Sequence, residues 1–372
     1  MIAYRTAKPE ERDAYIELAN YAFGFDAETL LPKVYDPAFD PSSITKVAVH
    51  ESGKLCAEVA VLPQNLTVCG KALKAGFLGM VSVHPKFRGQ GHMKALMQMW
   101  TEEARSRYDM LVLYGQRQRY EYFGFTGGGM RRQFFVEPAN IRHALKDVSC
   151  EGFTFRPFFE VEGAAAFAER VNRARLSFVE RKAEEMELIF RCLNQKATAI
   201  LKDGKLAGYL ITDGSGREIS ELALEHLEDC KPAIKAYAAF LHADRLSLYV
   251  PDYETELNAV LQEFAERYLI DCDCMFHIVD YANVLEAYLT LKHRSVGLSC
   301  GRFSAVLEGQ PVTVTVNEAG VSVERKAEPG APELDKAQAQ SLLLTERSRF
   351  LKWPVMRDWF PLPIFWYIVD KF

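Results

Sequence analysis

The segment from Gly79 to Ala104 constrains the fold more than any other part of the chain. An apolar strand ends at Pro85, and Arg88-Gly89-Gln90-Gly91 then opens a helix. Apolar residues recur at helical spacing on one face of this helix, at Met93, Leu96, Met97, Trp100 and Ala104. A strand that turns through glycines into an amphipathic helix is typical of α/β structure, and the strand/helix alternation around it predicts an α/β (α+β) fold class.

The glycine-bearing turn is suited to bind an anion. The first backbone N–H groups of a helix lack internal partners and lie at the positive end of the helix dipole. Gly89 and Gly91 let the backbone approach a phosphate closely, and Arg88 adds a fixed cation. Gly-x-Gly alone is equally typical of an ordinary strand-to-helix turn. The segment lacks the third glycine and later acidic residue of the dinucleotide fingerprint, and it lacks the Gly-Lys-Ser/Thr of a Walker loop.

Length and composition narrow the function classes. At roughly 150 residues per domain, 372 residues predict two or three domains. The 45 basic and 50 acidic side chains argue against a general nucleic-acid binder, which would carry a basic excess. No run of about 20 apolar residues predicts a membrane span, and the N-terminus lacks a signal-peptide layout. The eight scattered cysteines fit reduced thiols, so we expect a cytoplasmic protein with neither nucleic-acid nor membrane partners.

The pattern along the chain predicts three domains, at 1–150, 151–279 and 280–372. The middle domain is predicted to contain helices at Val161–Ala174, Val179–Leu193, Pro232–His242 and Glu254–Tyr268, and to be closed by a strand at Cys272–Val279. In the last domain a helix at Val284–Leu291 precedes three strands and a helix capped by Asp335.

Two motifs carry a family resemblance. Val81-x-Val83-x-Pro85-x-x-Arg88-Gly89-x-Gly91 resembles motif A of the GNAT N-acetyltransferases, although Met93 stands where that signature ends in Gly or Ala. Further on, Tyr120-Glu121-Tyr122-Phe123-Gly124-Phe125 resembles the Tyr-x-x-Phe-Gly-Phe element of the same family. The two motifs occur in the family's order and at its spacing.

The chain length and its last fifteen residues, Asp358–Phe372, resemble the Eis-like group (enhanced intracellular survival protein and relatives). The resemblance implies tandem GNAT folds with mixed central sheets flanked by helices: a catalytic domain at 1–150 and a degenerate one at 151–279. It implies a sterol-carrier-protein-like α+β domain at 280–372, ending in the active-site C-terminus. Acetyl-CoA would be the co-substrate, a primary amine the acceptor, and a homo-oligomer, by resemblance a hexamer, the assembly. No metal is expected.

The resemblance assigns the contacts to acetyl-CoA. The backbones of Val81, Ser82 and Val83 would lie beside the pantetheine arm and thioester. The pyrophosphate would be held by Arg88, Gly89, Gln90, Gly91, His92, Met93 and Lys94, with Gly115 and Gln116 as further contacts by position. Ser82 has no His base in the motif, so we interpret it as a backbone contributor and not as a nucleophile.

The resemblance also assigns the acid and the base. Tyr120 would protonate the leaving thiolate; the alternative is a tyrosine with a purely packing role, and Tyr122 is the nearby competitor. The terminal carboxylate of Phe372 would deprotonate the amine; the alternative is a C-terminal strand that completes the third domain's sheet. Lys371 stands where the family carries an acidic residue, which puts any preference for polyamine antibiotics in doubt.

We therefore predict an acetyl-CoA-dependent N-acetyltransferase that binds its amine in a groove between the first two domains. The alternative is a hydrophobic-ligand carrier or scaffold with an inactive transferase domain, although the intact motifs count against it. Three further sets of residues are better explained by packing than by a chemical role. They are the thiols Cys272 and Cys274 near His277, the residues Phe23, Phe25 and Met80, and the aromatic residues Trp353, Trp359 and Trp366. The residues leave the identity of the amine open.

Overall fold

The computed structural model describes residues 1–350 and 357–372, with helices packed on three sheets. The strands are β1 (Ile2–Thr6), β2 (Thr45–His50), β3 (Leu55–Val68), β4 (Lys71–Val83), β5 (Met110–Leu113), β6 (Thr126–Gly128), β7 (Arg131–Val136), β8 (Phe153–Pro157), β9 (Ser177–Val179), β10 (Lys196–Lys202), β11 (Lys205–Thr212), β12 (Glu218–Leu224), β13 (Leu246–Pro251), β14 (Arg267–Asp271), β15 (Cys274–Ile278), β16 (Gly301–Leu307), β17 (Gln310–Asn317), β18 (Gly320–Glu324) and β19 (Glu333–Leu334). The α-helices are α1 (Arg12–Phe23), α2 (Ala27–Leu30), α3 (Pro32–Tyr35), α4 (His92–Arg107), α5 (Arg117–Tyr120), α6 (Ala164–Ala174), α7 (Met186–Phe190), α8 (Cys230–Phe240), α9 (Thr255–Gln262), α10 (Tyr281–Val296), α11 (Lys336–Leu344) and α12 (Arg347–Phe350).

Each of the two large sheets includes strands from the other side of the predicted boundary at residue 150: β9 and β15 in sheet I, and β7 in sheet II. Sheet I has the order β1-β2-β3-β4-β5-β15-β6, with β9 paired to β3, and sheet II has the order β14-β7-β13-β12-β11-β10-β8. Strand β7 therefore lies in sheet II although it precedes residue 150, and β15 lies in sheet I although it precedes residue 280. The expected closure of the middle domain by β15 is wrong, because all five residues of β15 are buried between β5 and β6.

The third sheet has the order β18-β17-β16-β19, and α10 packs against β17 and β18. One hydrophobic cluster joins all three sheets, with Phe77 from β4, Tyr209 from β11 and Val314 from β17 among its members. Trp359 and Trp366 are buried in this cluster, whereas Trp353 lies outside the described residues. Across residues 1–350 and 357–372, no helix has the length and apolar character needed to cross a bilayer.

The helix predicted from apolar spacing after the glycine turn and the helix cap predicted at Asp335 are confirmed, whereas two helices predicted in the middle domain are wrong. Helix α4 buries Leu96, Met97, Trp100 and Ala104, as predicted, and Asp335 caps α11 by accepting a hydrogen bond from the Gln338 N–H at 2.9 Å. The chain from Val179 to Leu193 is not one helix, because Val179 pairs with Leu66 of β3 and only α7 is helical. The helix predicted to reach Tyr268 ends at Gln262, since Tyr268 pairs with Phe134 in sheet II.

His277 connects β15 to its surroundings through both ring nitrogens. Its Nδ1 lies 3.1 Å from the carbonyl of Phe123, and its Nε2 lies 2.9 Å from the Lys336 ammonium. Since the ammonium can only donate, Nε2 accepts and Nδ1 carries the proton. Burial, supported by the charge of Lys336, lowers the pKa of His277 to about 3.

We expect His277 to make the fold less stable as the pH falls. The unfolded chain binds this proton near pH 6.5 but the folded chain only near pH 3, so stability is lost on acidification through this window, by up to about 1.4 kcal/mol per pH unit. His277→Asn keeps a donor for the Phe123 carbonyl and should flatten the dependence, measured by urea unfolding at pH 7, 6 and 5. Equal slopes in the two proteins would contradict the assignment.

Candidate active site

A cleft opens in sheet I where β4 and β5 separate. Strand β4 pairs with β5 only from Ala75 to Leu78, yet it stays paired with β3 as far as Val83. One extra residue is inserted between Gly79 and Ser82 relative to β3, and Met80 has a φ of 51°. This bulge turns β4 away from β5. Within the described strands, nothing pairs with the β5-facing edge of Gly79–Val83, so its backbone groups can bind a ligand.

The glycine turn after β4 has the backbone conformation of an anion site. Gly89 and Gly91 have φ values of 77° and 83°, which favour glycine, and a Cβ on either would meet no atom within 4 Å. Gly91 directly precedes α4 and caps it without a side-chain hydrogen bond. Exposed side chains surround this helix start, at Arg88, Gln90 and Lys94.

Two residues of this motif support the turn from inside the protein. His92 is buried, and its Nδ1 lies 2.9 Å from the Tyr4 hydroxyl. Met93 is half-buried and packs on the core cluster beneath α4. For these two, only the backbone N–H groups, and not the side chains, are placed to meet an anion.

The two tyrosines considered as the general acid, Tyr120 and Tyr122, have different surroundings in the structure. Tyr120 ends α5 and is buried, and its ring covers Gly115 so closely that a Cβ there would collide with it. Burial raises the pKa of the Tyr120 phenol, which keeps its proton at neutral pH. Tyr122 is 65% exposed and stacks under the Lys94 ammonium, 5.0 Å from the ring centre. Gln116 is exposed just before α5.

The last residue of the sequence lies against the point where the cleft begins. A Cβ on Gly79 would lie 2.9 Å from a carboxyl oxygen of Phe372 and 3.0 Å from its carboxyl carbon. The Phe372 ring packs near Tyr35, with ring centres 6.2 Å apart. The third sheet contains no residue of the C-terminal tail (residues 357–372), so the alternative that the tail completes that sheet is wrong.

Groups from sheet I and its helices hold the end of the tail. The Lys33 ammonium donates to the carbonyls of Val369 and Lys371, at 2.6 Å each. The Gln64 amide donates to the Asp370 carbonyl at 2.5 Å and accepts a hydrogen bond from the Trp366 indole at 2.8 Å. Both contacts fix the backbone just before the terminal carboxyl.

A buried ion network, made of Arg175, Arg181, Glu221 and Asp370, links the tail to strand β12 of the second sheet. Arg181 donates to both carboxylate oxygens of Asp370 at 2.8 Å and to those of Glu221 at 3.0 and 3.1 Å. Arg175 donates to Glu221 at 2.8 Å. Burial alone would raise the pKa of Glu221, but the two guanidinium charges outweigh it and lower that pKa to about 2. Glu221 and the two guanidinium groups are therefore charged.

Comparison with known proteins identifies the unit that carries the cleft. Residues 3–127 match the family model described as "Acetyltransferase (GNAT) domain". This part of the chain is a GNAT acetyltransferase domain. The protein is accordingly an acyltransferase enzyme, as predicted. No curated protein matches the chain in sequence.

Solved structures share the architecture of nearly the whole chain. A protein from Enterococcus faecalis, described as a "Probable N-Acyltransferase", is 16% identical with a TM-score of 0.66, over 90% of this chain and 87% of its own. A GCN5-related N-acetyltransferase from Anabaena variabilis is 16% identical with a TM-score of 0.65, over 93% and 92%. Eis1 from Mycobacterium abscessus is 14% identical with a TM-score of 0.63, over 92% and 89%. These likenesses confirm the predicted fold class, tandem GNAT-like folds followed by an α+β unit.

The GNAT domain contains one buried group that the sequence analysis missed. Glu58 of β3 is fully buried; one carboxyl oxygen accepts from the Ser82 hydroxyl at 2.9 Å, and no described residue bonds the other. Burial raises the pKa of Glu58 well above its usual range. Because the Ser82 hydroxyl is taken up by Glu58, only the Ser82 backbone faces the cleft edge. In the sequence, Glu58 is the one carboxylate within the apolar run Leu55–Leu62, and this pattern could have indicated a buried acidic group.

The other residues considered for chemistry make packing or ionic contacts or lie at the surface. Cys272 is exposed and Cys274 buried, both as free thiols, and no cluster able to hold a metal ion occurs in the described parts of the chain. Met80 is buried in a core cluster with Phe25 packed against it, and Phe23, 46% exposed, stacks on Phe25. Lys371 forms an ion pair with Asp273.

We expect Gly79→Ala to impair turnover by displacing the terminal carboxyl. The new Cβ would lie 2.9 Å from an oxygen and 3.0 Å from the carbon of the Phe372 carboxyl, so this group must shift, and a misplacement of about 1 Å can cost up to 100-fold in rate. Steady-state kinetics should show kcat at least 10-fold lower, with acetyl-CoA affinity nearly unchanged. Gly127→Ala, where a Cβ meets nothing within 4 Å, is the matched control. Equal kcat values in the two variants would contradict the placement.

Proposed function

We propose that this acyltransferase moves an acetyl group from acetyl-CoA directly to a primary amine, with Tyr120 as general acid and the terminal carboxylate of Phe372 as general base. The observation that carries the proposal is the position of the Phe372 carboxyl against Gly79, where the cleft between β4 and β5 begins. A carboxylate at this point lies beside the strand edge to which the motif assigns the thioester.

The residues of the cleft fit acetyl-CoA. The unpaired backbone of Val81, Ser82 and Val83 offers the alternating donors and acceptors that an amide-containing pantetheine arm needs. The start of α4 offers free N–H groups between Arg88 and Lys94, through Gly89, Gln90, Gly91, His92 and Met93, for the pyrophosphate. Gly115 and Gln116 follow β5 on the opposite wall of the cleft.

The chemistry requires two proton movements. The Phe372 carboxylate takes the proton that the amine loses as its nitrogen forms a bond to the acetyl carbon. The carbon–sulfur bond breaks, and the Tyr120 phenol gives its proton to the departing thiolate. Burial favours the role of Tyr120, because it keeps the phenol protonated.

The placement of the amine and the assembly are part of the proposal. The acceptor would enter between the first two domains (1–150 and 151–279), beside the tail that both sheets hold. The third domain (280–372) would be sterol-carrier-like and would deliver the tail. The protein would act in the cytoplasm as a homo-oligomer, a hexamer by resemblance, which sedimentation velocity can measure.

We expect acetyl-CoA to bind saturably near one per chain in calorimetric titration. Arg88→Ala removes a fixed cation from the phosphate turn and should weaken binding about 10-fold, in line with the 1.5–3 kcal/mol of a charged hydrogen bond. Arg105→Ala, at the other end of α4 and 73% exposed, should bind as the wild type does. Absence of binding would favour the alternative of a carrier or scaffold with an inactive transferase domain.

We expect Tyr120→Phe to lower kcat by 10²-fold or more, because it removes the proton donor while the ring still covers Gly115. Acetyl-CoA affinity should stay within about twofold. Tyr122→Phe removes the exposed hydroxyl two residues away and should leave kcat unchanged. A loss of affinity with unchanged kcat would overturn the assignment of the acid.

A further inference from the structure

Sheet II contains a cleft in the same topological position as the active-site cleft. Strands β12 and β13 pair in parallel only at Glu218–Ser247 and Ile219–Leu248. Strand β12 nevertheless continues beside β11 to Leu224, and β13 continues beside β7 to Pro251. The two parallel strands therefore diverge as β4 and β5 do in the first sheet.

The second cleft leads into a cavity of about 540 Å³. That volume lies within the range of small-molecule sites. Its apolar wall includes Leu222, Leu224 and Leu257, and the end of α6 forms the rim at Ala174. Arg294 and Ser295 of α10 close it from the third domain's side. The cavity is thus bounded by more than one unit and is distinct from the cleft in sheet I.

The second cleft does not suit coenzyme A. The turn from β12 to α8 spans Glu225–Asp229 and contains no glycine, in contrast to Gly89 and Gly91 in the first sheet. It carries the carboxylates of Glu225, Glu228 and Asp229 where a pyrophosphate would need donors. Negative charge at this helix start disfavours a phosphate, so a ligand of the second cleft has a different chemistry.

Glu254 is the partly buried carboxylate of the cavity. It lies in the cavity wall with its side chain 22% exposed, and it accepts a hydrogen bond at 2.8 Å from the neutral Tyr367 hydroxyl. The nearest guanidinium nitrogen, on Arg175, forms an ion pair with Glu254 at 4.0 Å, which is beyond hydrogen-bond distance. Burial raises the pKa of Glu254, as expected for a carboxylate with too little positive charge around it.

The two guanidinium groups of the cavity differ in their surroundings. Arg175 donates to the fully buried Glu221, and its guanidinium lies 4.2 Å from the centre of the Tyr367 ring. Arg294 is exposed at the rim and interacts with the Cys69 thiol. Glu254 is therefore the partly buried carboxylate of this wall, and no described cation donates a hydrogen bond to it.

We propose that the cavity in the second cleft binds a small primary amine with an apolar body, whose ammonium pairs with Glu254 and whose body packs on Leu222, Leu224 and Leu257. This site is separate from the proposed acetyl-transfer site and needs no acetyl-CoA. Its occupant would share the chemical class of the acceptor, at a second position on the same chain.

Calorimetric titration of the full chain with phenethylamine, without acetyl-CoA, tests the site. 2-Phenylethanol is the matched neutral probe, since it keeps the apolar body and lacks the ammonium. Glu254→Gln keeps an acceptor for Tyr367 and removes the charge. The control for Glu254→Gln is Glu256→Gln, which removes an exposed carboxylate on the same rim. Ala174→Trp fills the entrance from an exposed position that the fold tolerates.

We expect saturable phenethylamine binding that is at least 10-fold weaker in Glu254→Gln and in Ala174→Trp, and unchanged in Glu256→Gln. We expect 2-phenylethanol to bind the wild type at least 10-fold more weakly than the amine. Affinities that do not change in Glu254→Gln and Ala174→Trp, equal binding of the two probes, or no saturable binding would each overturn the proposal. If the amine bound only in the first cleft, its affinity would not change in Glu254→Gln or in Ala174→Trp. The failure of this second site can therefore be distinguished from a failure of the proposed acetyl transfer.

Discussion

The contact between Arg181 and Asp370 is the interaction on which the arrangement of the proposed active site depends. It joins a residue that follows β9 to one 189 positions later, two residues before the end of the sequence. Both side chains are buried, and Glu221 and Arg175 complete their charge balance. Removing one partner of a buried pair leaves an uncompensated charge and typically costs about 3–5 kcal/mol. The tail is therefore held in one place and one register.

The exchanged strands give this anchor a rigid frame. Sheet I is completed by β15, which follows the second sheet's last strand, and sheet II contains β7, which follows the first sheet's β6. The hydrophobic cluster that includes Phe77, Tyr209 and Val314 runs through all three sheets. Because the units share strands and core, Arg181 keeps a fixed position relative to Gly79. The second unit can thus hold the tail at the first unit's proposed active site, although its own cleft lacks the glycine turn.

The sequence predicts best what depends on neighbouring residues. The spacing of Leu96 and Trp100 predicts α4, and the glycines of the turn predict a backbone that the positive φ values confirm. The chemical roles of Tyr120 and Phe372 come from family resemblance and stay predictions. The structure adds to them the ring of Tyr120 over Gly115 and the carboxyl of Phe372 against Gly79.

Features that depend on distant pairing could not be predicted from one sequence. Nothing near β15 indicates that it pairs with β5, more than 160 residues earlier, because a buried apolar strand fits either sheet. Arg181 and Asp370 are each one of many charged residues, and only the fold makes them partners. Glu58 shows the same limit, since its isolation among apolar residues signals burial but does not identify Ser82 as its partner.

The most direct test of the account replaces the terminal carboxylate of Phe372 by a carboxamide, through ligation of an amidated C-terminal peptide. The amide keeps the size of the group and removes its charge, so the tail contacts of Lys33, Gln64 and Arg181 remain possible. We predict that kcat falls at least 100-fold while acetyl-CoA binds as tightly as to the unmodified protein. An amidated enzyme with unchanged kcat would contradict the account, because the carboxylate would then take no part in the reaction.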